Sequence, residues 1–345
     1  MTKNLRIPAK IGQFRGSWQA QPSAPPLQFV IIGSKGSAVK SSMKWIAPLL
    51  FAIAVPALAQ VNDTYVIPAV GNTYGEGGTH WITQLSIFNP QTYALTVSVT
   101  YVPQGGGHGL ESRITIPSNA VGYWDNSLQE LFQSTGAGAY LVATFPEDNP
   151  TVPNDVVSRS FLVNSNTVNL LSDGGTYGQT IPGTFTGLQD YTVEGVSAIS
   201  HGVRNLDQYL WRTNFGAVNL GSTPITLRIS VYDADGNTLV KNAQYSMPPQ
   251  SQMQWRLPVQ VDHGSVEFFV DDTTNKAVVF PYTSTLDRLT SDPMYQSPAL
   301  LASAKYLYGK TAVVPMAVGK RIGTEDARAI RANAIPLGEV PLRTK

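Results

Sequence analysis

Asp233, Asp235 and Asn237 stand at alternate positions, the spacing at which three oxygen ligands open an EF-hand calcium loop. The glycine such a loop needs at its sixth position falls at the fourth, as Gly236, and the twelfth residue is Gln244 rather than glutamate. Asp-Gly between two alternating segments is also a tight-hairpin signature, so the stretch reads first as a turn and second as a calcium site. His80, His108, His201 and His263 are scattered, with no paired spacing to hold a catalytic metal. The chain has no cysteine, which excludes thiolate nucleophiles, disulfides and cysteine-ligated zinc. No Gly-x-Ser-x-Gly elbow and no phosphate loop occurs; Gly105 to Gly109 lies between strand-like segments and reads as a hairpin loop. The residues name no catalytic group and no cofactor. Two carboxylates flanking a glycosidic bond remain the one acid–base chemistry open to so acidic a body.

Aromatic side chains are the other candidates. Trp81, Trp124, Trp211 and Trp255 are expected in the core, because large aromatics fill the space between sheets more often than they bind ligands. Tyr74, Tyr177, Tyr191 and Tyr209 fall near loops and suit surface contacts better. Tyr177 and Gln179, inside a Gly-rich connector, are the named candidates for a partner-facing surface.

The elements that must position these residues are strands. Leu95, Val97, Val99 and Tyr101 alternate with Thr96, Ser98 and Thr100, and Leu227, Ile229 and Val231 alternate with Arg228 and Ser230. Period-two patterning rich in β-branched and aromatic residues marks half-buried strands. Turn signals recur at short intervals, including Asn89-Pro90, Pro117-Ser118-Asn119, Asp235-Gly236 and Pro248-Pro249. Strands are expected near 80–88, 94–102, 111–117, 138–145 and 156–163, then near 209–218, 224–232, 239–247, 264–270 and 276–286. Two short helices are expected, one over Ser127–Phe132 capped by Ser127 and one beginning at Thr324.

The body also repeats. Residues 81–89 match 211–219, and 95–102 match 225–232, both at an offset of 130. At an offset of 131, residues 114–117 match 245–248 and Trp124 matches Trp255. A spacing this long implies two whole domains rather than a solenoid. The expectation is an all-β chain of two tandem, similar antiparallel β-sandwiches of Ig-like type, over 60–171 and 191–300. Residues 172–190 are expected to link them, and 301–345 to form a tail.

Charge is uneven along the chain. Residues 1–42 carry six basic and no acidic groups, whereas 43–300 carry ten basic and twenty acidic. An acidic body argues against nucleic acid as a partner, since that requires clustered Lys and Arg. Residues 43–59 combine Lys44, a short apolar run and Ala57-Leu58-Ala59, the layout of an export signal cleaved after Ala59. The run is too short to span a bilayer, so no transmembrane anchor is expected. Residues 1–42 then read as a disordered or mis-assigned leader, and the mature chain as secreted.

The Trp-x-Thr blocks ending in Asn, the Pro-ended strand and the Gly175–Gly183 connector resemble a duplicated Ig-like β-sandwich found in secreted bacterial proteins of unassigned function. The resemblance implies a non-enzymatic module for extracellular binding, adhesion or assembly, with an extracellular protein or glycan as partner. The alternative is a secreted glycan-binding or glycan-active protein.

Overall fold

The computed structural model describes residues 64–75, 78–152, 159–171, 174–185, 196–206, 211–271, 278–302 and 324–342. All of them belong to one compact unit, residues 56–345. The expected leader and export signal, and Tyr191 and Tyr209, lie outside the described residues. None of the described helices is long and apolar enough to cross a membrane.

The described residues are mostly β-strand, with two short α-helices among them. Its first half holds β1 (Thr64–Tyr74), β2 (His80–Phe88), β3 (Leu95–Pro103), β4 (Leu110–Ile116) and β5 (Val121–Trp124). Helix α1 (Ser127–Phe132) follows, then β6 (Gly136–Ala143), β7 (Leu162–Leu170), β8 (Thr176–Pro182) and β9 (Thr184–Phe185). The second half holds β10 (Val196–Asn205), β11 (Trp211–Asn219), β12 (Ile225–Tyr232), β13 (Thr238–Met247) and β14 (Ser251–Arg256). It continues with β15 (Val261–Asp271), β16 (Val279–Asp287), β17 (Pro293–Gln296) and β18 (Ala299–Ala302). Helix α2 (Thr324–Ala332) and β19 (Ile335–Glu339) end the described chain.

In the second half, β13-β12-β15-β10-β18 form one sheet and β14-β11-β16-β17 another. In the first half, strands β4-β3-β6-β1 and β5-β2-β7-β8 form two similar layers, joined into one sheet because β1 serves both. β1 pairs with β6 through Thr64–Asn72 and with β2 through Asn72–Tyr74, with a register shift between Ile67 and Val70. Pro68 sits at that shift, where a residue without an N–H fits and the strand can bend from one layer to the other.

The pairings within the layers of the first half recur in the second. β2 takes β5 and β7, as β11 takes β14 and β16; β3 takes β4 and β6, as β12 takes β13 and β15. The repeated blocks share register too: Leu85 faces Trp124 where Phe215 faces Trp255, and Leu95 faces Ile116 where Ile225 faces Met247.

A buried asparagine closes each block. Asn89 Nδ2 donates to the carbonyls of Tyr93, Ile116 and Pro117 at 2.8, 3.0 and 3.0 Å, while its Oδ1 accepts the Gln91 N–H at 2.9 Å. Asn219 Nδ2 donates to Thr223 and Pro248 carbonyls, both at 2.9 Å, and its Oδ1 accepts the Gly221 N–H at 3.0 Å. Both side chains are fully buried, so each satisfies backbone groups that water cannot reach.

Several expectations need correction. The strand placed at 156–163 is Leu162–Leu170; its three asparagines, Asn164, Asn166 and Asn169, lower the β-propensity that would have marked it. The connector expected over 172–190 instead supplies β8, hydrogen-bonded to β7, and β9, hydrogen-bonded to β1. Asn126, not Ser127, caps α1, its side chain accepting from the Gln129 N–H. Ser127 Oγ is buried and donates to the Thr83 carbonyl at 2.7 Å, lying 2.8 Å from the Tyr140 hydroxyl. Trp124 is buried as expected, but Trp81, Trp211 and Trp255 are only half-buried: Trp81 and Trp211 lie at the starts of their strands, and Trp255 near the end of the edge strand β14.

The tail docks on the first half. Strand β19 pairs parallel with β4, and Ala327 and Ile330 of α2 are buried. Arg331 lies 3.4 Å from Glu111 Oε1 and 3.1 Å from Asp148 Oδ1, over the ring of Phe145. Both carboxylates are almost fully buried and also lie near Arg113. Arg328 holds Glu147 in a two-point contact at 3.1 and 3.0 Å.

Asn89→Ala or Asn219→Ala should each cost about 2–4 kcal/mol in chemical denaturation, since several backbone groups lose their partner at once. Arg331→Ala should cost about 1–3 kcal/mol, because two buried carboxylates would lose one of the two cations they share and keep only Arg113. Arg328 holds the Glu147 carboxyl below its ordinary value of 4.5, so that tie is fully present above pH 4.5. It is lost as pH falls through the lower folded value, and proteolysis of the tail should rise over that range.

Candidate functional site

Alternation along β11 points Thr213, Phe215 and Ala217 inward and Arg212, Asn214 and Gly216 outward. On the same outer face, register places Ser284 and Tyr282 of β16 beside Asn214 and Gly216, and Gln254 of β14 on the other side of Gly216. An outward tyrosine would ordinarily be wet, yet Tyr282 is fully buried. It lies across Gly216, where an added Cβ would come within 2.5 Å of its ring and hydroxyl. Tyr295 stacks on it at 5.8 Å and packs against the apolar core of the first half.

Burial pushes the Tyr282 hydroxyl well above its ordinary value of 10, so it keeps its single proton. That proton is donated to Gln254 Oε1 at 3.0 Å, and the Tyr282 hydroxyl oxygen itself accepts from Gln252 Nε2 at 2.6 Å. The chain of three therefore turns the carbonyl of Gln254 toward Tyr282 and leaves its amide N–H groups directed away. Gln252 Oε1 is buried without a hydrogen-bond partner, a costly state for an acceptor.

The first half supplies the facing wall. Gly105 donates its N–H to the Gln252 carbonyl at 3.0 Å, and Gln104 forms a parallel bridge with Gln252. Gly105 adopts φ +79°, which favours glycine at this crossing. On the opposite side, Ser284 Oγ donates to Gln179 Oε1 at 3.2 Å. Between these ties lies a cleft of about 410 Å³. Trp81, Thr73, Thr167, Gln104 and Gln179 line it from the first half, and Arg212, Asn214, Gln252, Gln254 and Ser284 from the second. Arg212 is the only charged side chain among the described residues that line it.

Of the residues singled out in the sequence, Gln179, Tyr74 and Trp81 line this cleft. Tyr177, two residues before Gln179 on β8, is 43% exposed and faces the same side of the sheet. Tyr74 is exposed and stacks on His80 at 4.6 Å. Asp233, Asp235 and Asn237 form the β12–β13 hairpin turn. Asp233 Oδ1 accepts the N–H groups of Asp235 and Asn237 at 3.0 and 2.8 Å, and its Oδ2 accepts from Asn237 Nδ2 at 2.9 Å. Hydrogen bonding within the turn holds the Asp233 carboxyl below its ordinary value. Among the described residues no group of three or more His, Cys, Asp or Glu side chains is placed to hold a metal.

Arg212, Asn214, Gln252, Gln254 and Ser284 were not singled out from the sequence. Their signal was present in the alternation of Trp-Arg-Thr-Asn-Phe and Gln-Met-Gln-Trp, which puts polar groups on an outer face. That this face meets the first half is a tertiary fact.

No protein-family model matches the chain, and no curated protein matches it. Among solved structures, a Bacteroides uniformis beta-glucuronidase 2 is similar at 11% identity and a TM-score of 0.15, over 70% of this chain and 26% of that one. This chain thus spans about a quarter of that enzyme's length. A Pleurotus ostreatus lectin is similar at 9% identity and a TM-score of 0.13, over 72% of this chain and 87% of that one. Likeness at this level carries no argument about activity.

Gly216→Ala should destabilise the protein by about 1–3 kcal/mol, since its methyl group meets Tyr282 and the Met253 carbonyl, which lie 2.5 and 2.7 Å from the new Cβ. Thermal melts of the variant check this.

Proposed function

We propose that the chain is a secreted, non-enzymatic binding module made of two tandem Ig-like β-sandwich domains, with the cleft between them as its contact site. The shared strand pairings and registers of the two halves support the duplication. The strands β8 and β9 move the proposed boundary to the stretch between 185 and 196. Export rests on the signal-like residues 43–59.

The observation that carries the reading is the lining of the cleft. Both halves contribute walls, the ties between them are hydrogen-bonded, and a volume of about 410 Å³ falls within the ~300–1,000 Å³ of ordinary ligand sites. Hydrolysis of a glycosidic bond by paired acids would need two carboxylates there, and none of the described lining residues is Asp or Glu. Glu111 and Asp148, the close acidic groups of the first half, are buried beneath Arg331. Side-chain amides and hydroxyls without an acid or nucleophile hold a ligand rather than transform it.

Ser284→Trp fills the cleft from one wall. On arrays of oligosaccharides and of peptides, the wild-type chain should bind members of one array and the variant should lose that binding while still melting cooperatively. Binding that survives the substitution would place the contact surface elsewhere.

A further inference from the structure

We infer that the cleft takes a saccharide chain, recognised by amide N–H donors held on its two walls; the inference rests on the cleft being the contact site. Gln179 and Gln254 lie on opposite halves, and each has its carbonyl oxygen already engaged. Gln179 Oε1 accepts from Ser284 Oγ, and Gln254 Oε1 accepts from the Tyr282 hydroxyl. Since an amide has one acceptor oxygen and two N–H donors, fixing the oxygen leaves the donors directed elsewhere. Both side chains line the cleft, so that is where the donors are offered. Holding the donors in advance lowers the ordering cost of binding.

Asn214 and Gln104 add side-chain amides along the same walls, and Thr73 adds a hydroxyl. A matching ligand is rich in oxygen acceptors and carries few or no positive charges. Ring and hydroxyl oxygens of a sugar meet that description, and Trp81 in the wall presents an amphipathic aromatic of the type that covers apolar C–H surface while its N–H is engaged by Thr79. An extended peptide would instead be gripped by the unpaired backbone of an edge strand, with pockets for alternate side chains. The described lining is made mainly of side chains from strands whose backbones are paired within their sheets. Neutral and uronic-acid sugars share the recognised chemistry.

The test is calorimetric titration of the purified chain with hexasaccharides of glucose, mannose, galactose and xylose, with oligogalacturonate, and with a pool of random decapeptides. At least one saccharide should bind, and the peptides should not. Salt-sensitive preference for oligogalacturonate identifies the acidic source, and salt-independent binding the neutral one. Gln254→Glu and Gln179→Glu keep the engaged oxygen and replace the cleft-facing donor with an acceptor. Each should weaken saccharide binding at least tenfold while the melting temperature stays close to wild type. Undiminished affinity in both variants overturns the donor assignment. Peptide binding alone, lost in Ser284→Trp, overturns the saccharide while leaving the cleft as the contact site. Saccharide binding that Ser284→Trp leaves intact overturns the cleft itself, and no binding to any probe overturns both.

Discussion

The arrangement depends first on a buried asparagine placed at the same point of each half. Asn89 and Asn219 stand at the ends of matching strands, where the chain leaves one layer and enters the other. Each carboxamide serves as acceptor for one N–H of the crossing loop and as donor to carbonyls on that loop and after the next hairpin. A crossing loop buried at its root would otherwise carry unpaired backbone groups at a cost of about 1–3 kcal/mol each. By pairing them locally, the side chain fixes where β3 and β12 begin, and hence which residues of the following strand face inward. A slip of one residue would exchange the buried and exposed faces.

Paired threonines reinforce this from the middle of the same strands. Thr83 and Thr167 hydroxyls lie 3.0 Å apart, and Thr213 and Thr285 hydroxyls lie 2.8 Å apart, all at corresponding positions. Polar pairs inside an apolar layer tolerate little displacement, because separating them strands both partners in a medium that cannot replace the bond. The inward faces are therefore specified by polar contacts as well as by packing. The outward face of β14, β11 and β16 is left to meet the first half.

That meeting uses two kinds of contact. Tyr295, stacked on Tyr282, buries aromatic surface against the first half, while Gly105 to Gln252 and Ser284 to Gln179 fasten the edges of the cleft. Tyr282 does both jobs: its ring fills the space that Gly216 leaves open, and its hydroxyl orders two glutamines. The polar wall of the cleft is thus a consequence of how the halves pack. At the other end of the first half, α2 and β19 cover the outer face and edge of β4, with Arg331 neutralising carboxylates that could not stay buried alone.

Much of the strand plan was determined by sequence alone. Period-two patterning and the repeated blocks located His80–Phe88, Trp211–Asn219, Leu95–Pro103 and Ile225–Tyr232 to within a residue or two, because side-chain alternation in a half-buried strand is a local property. The helix at Thr324 was legible for the same reason, through its cap and acidic first turn. Leu162–Leu170 was not, since asparagines in a strand are stabilised by cross-strand partners that no local window contains. The Gly-rich connector resisted for a related reason: Thr176–Pro182 is a strand because β7 offers it an edge. Tertiary structure alone decided the site. Gln179 stood out within its connector, but nothing in the sequence says that it faces Ser284 across a cleft, or that Tyr282 lies over Gly216. The first relation joins residues 105 positions apart, and only the packing of one half against the other brings them within hydrogen-bonding distance; the second follows from the pairing of β11 with β16, whose register no local window contains.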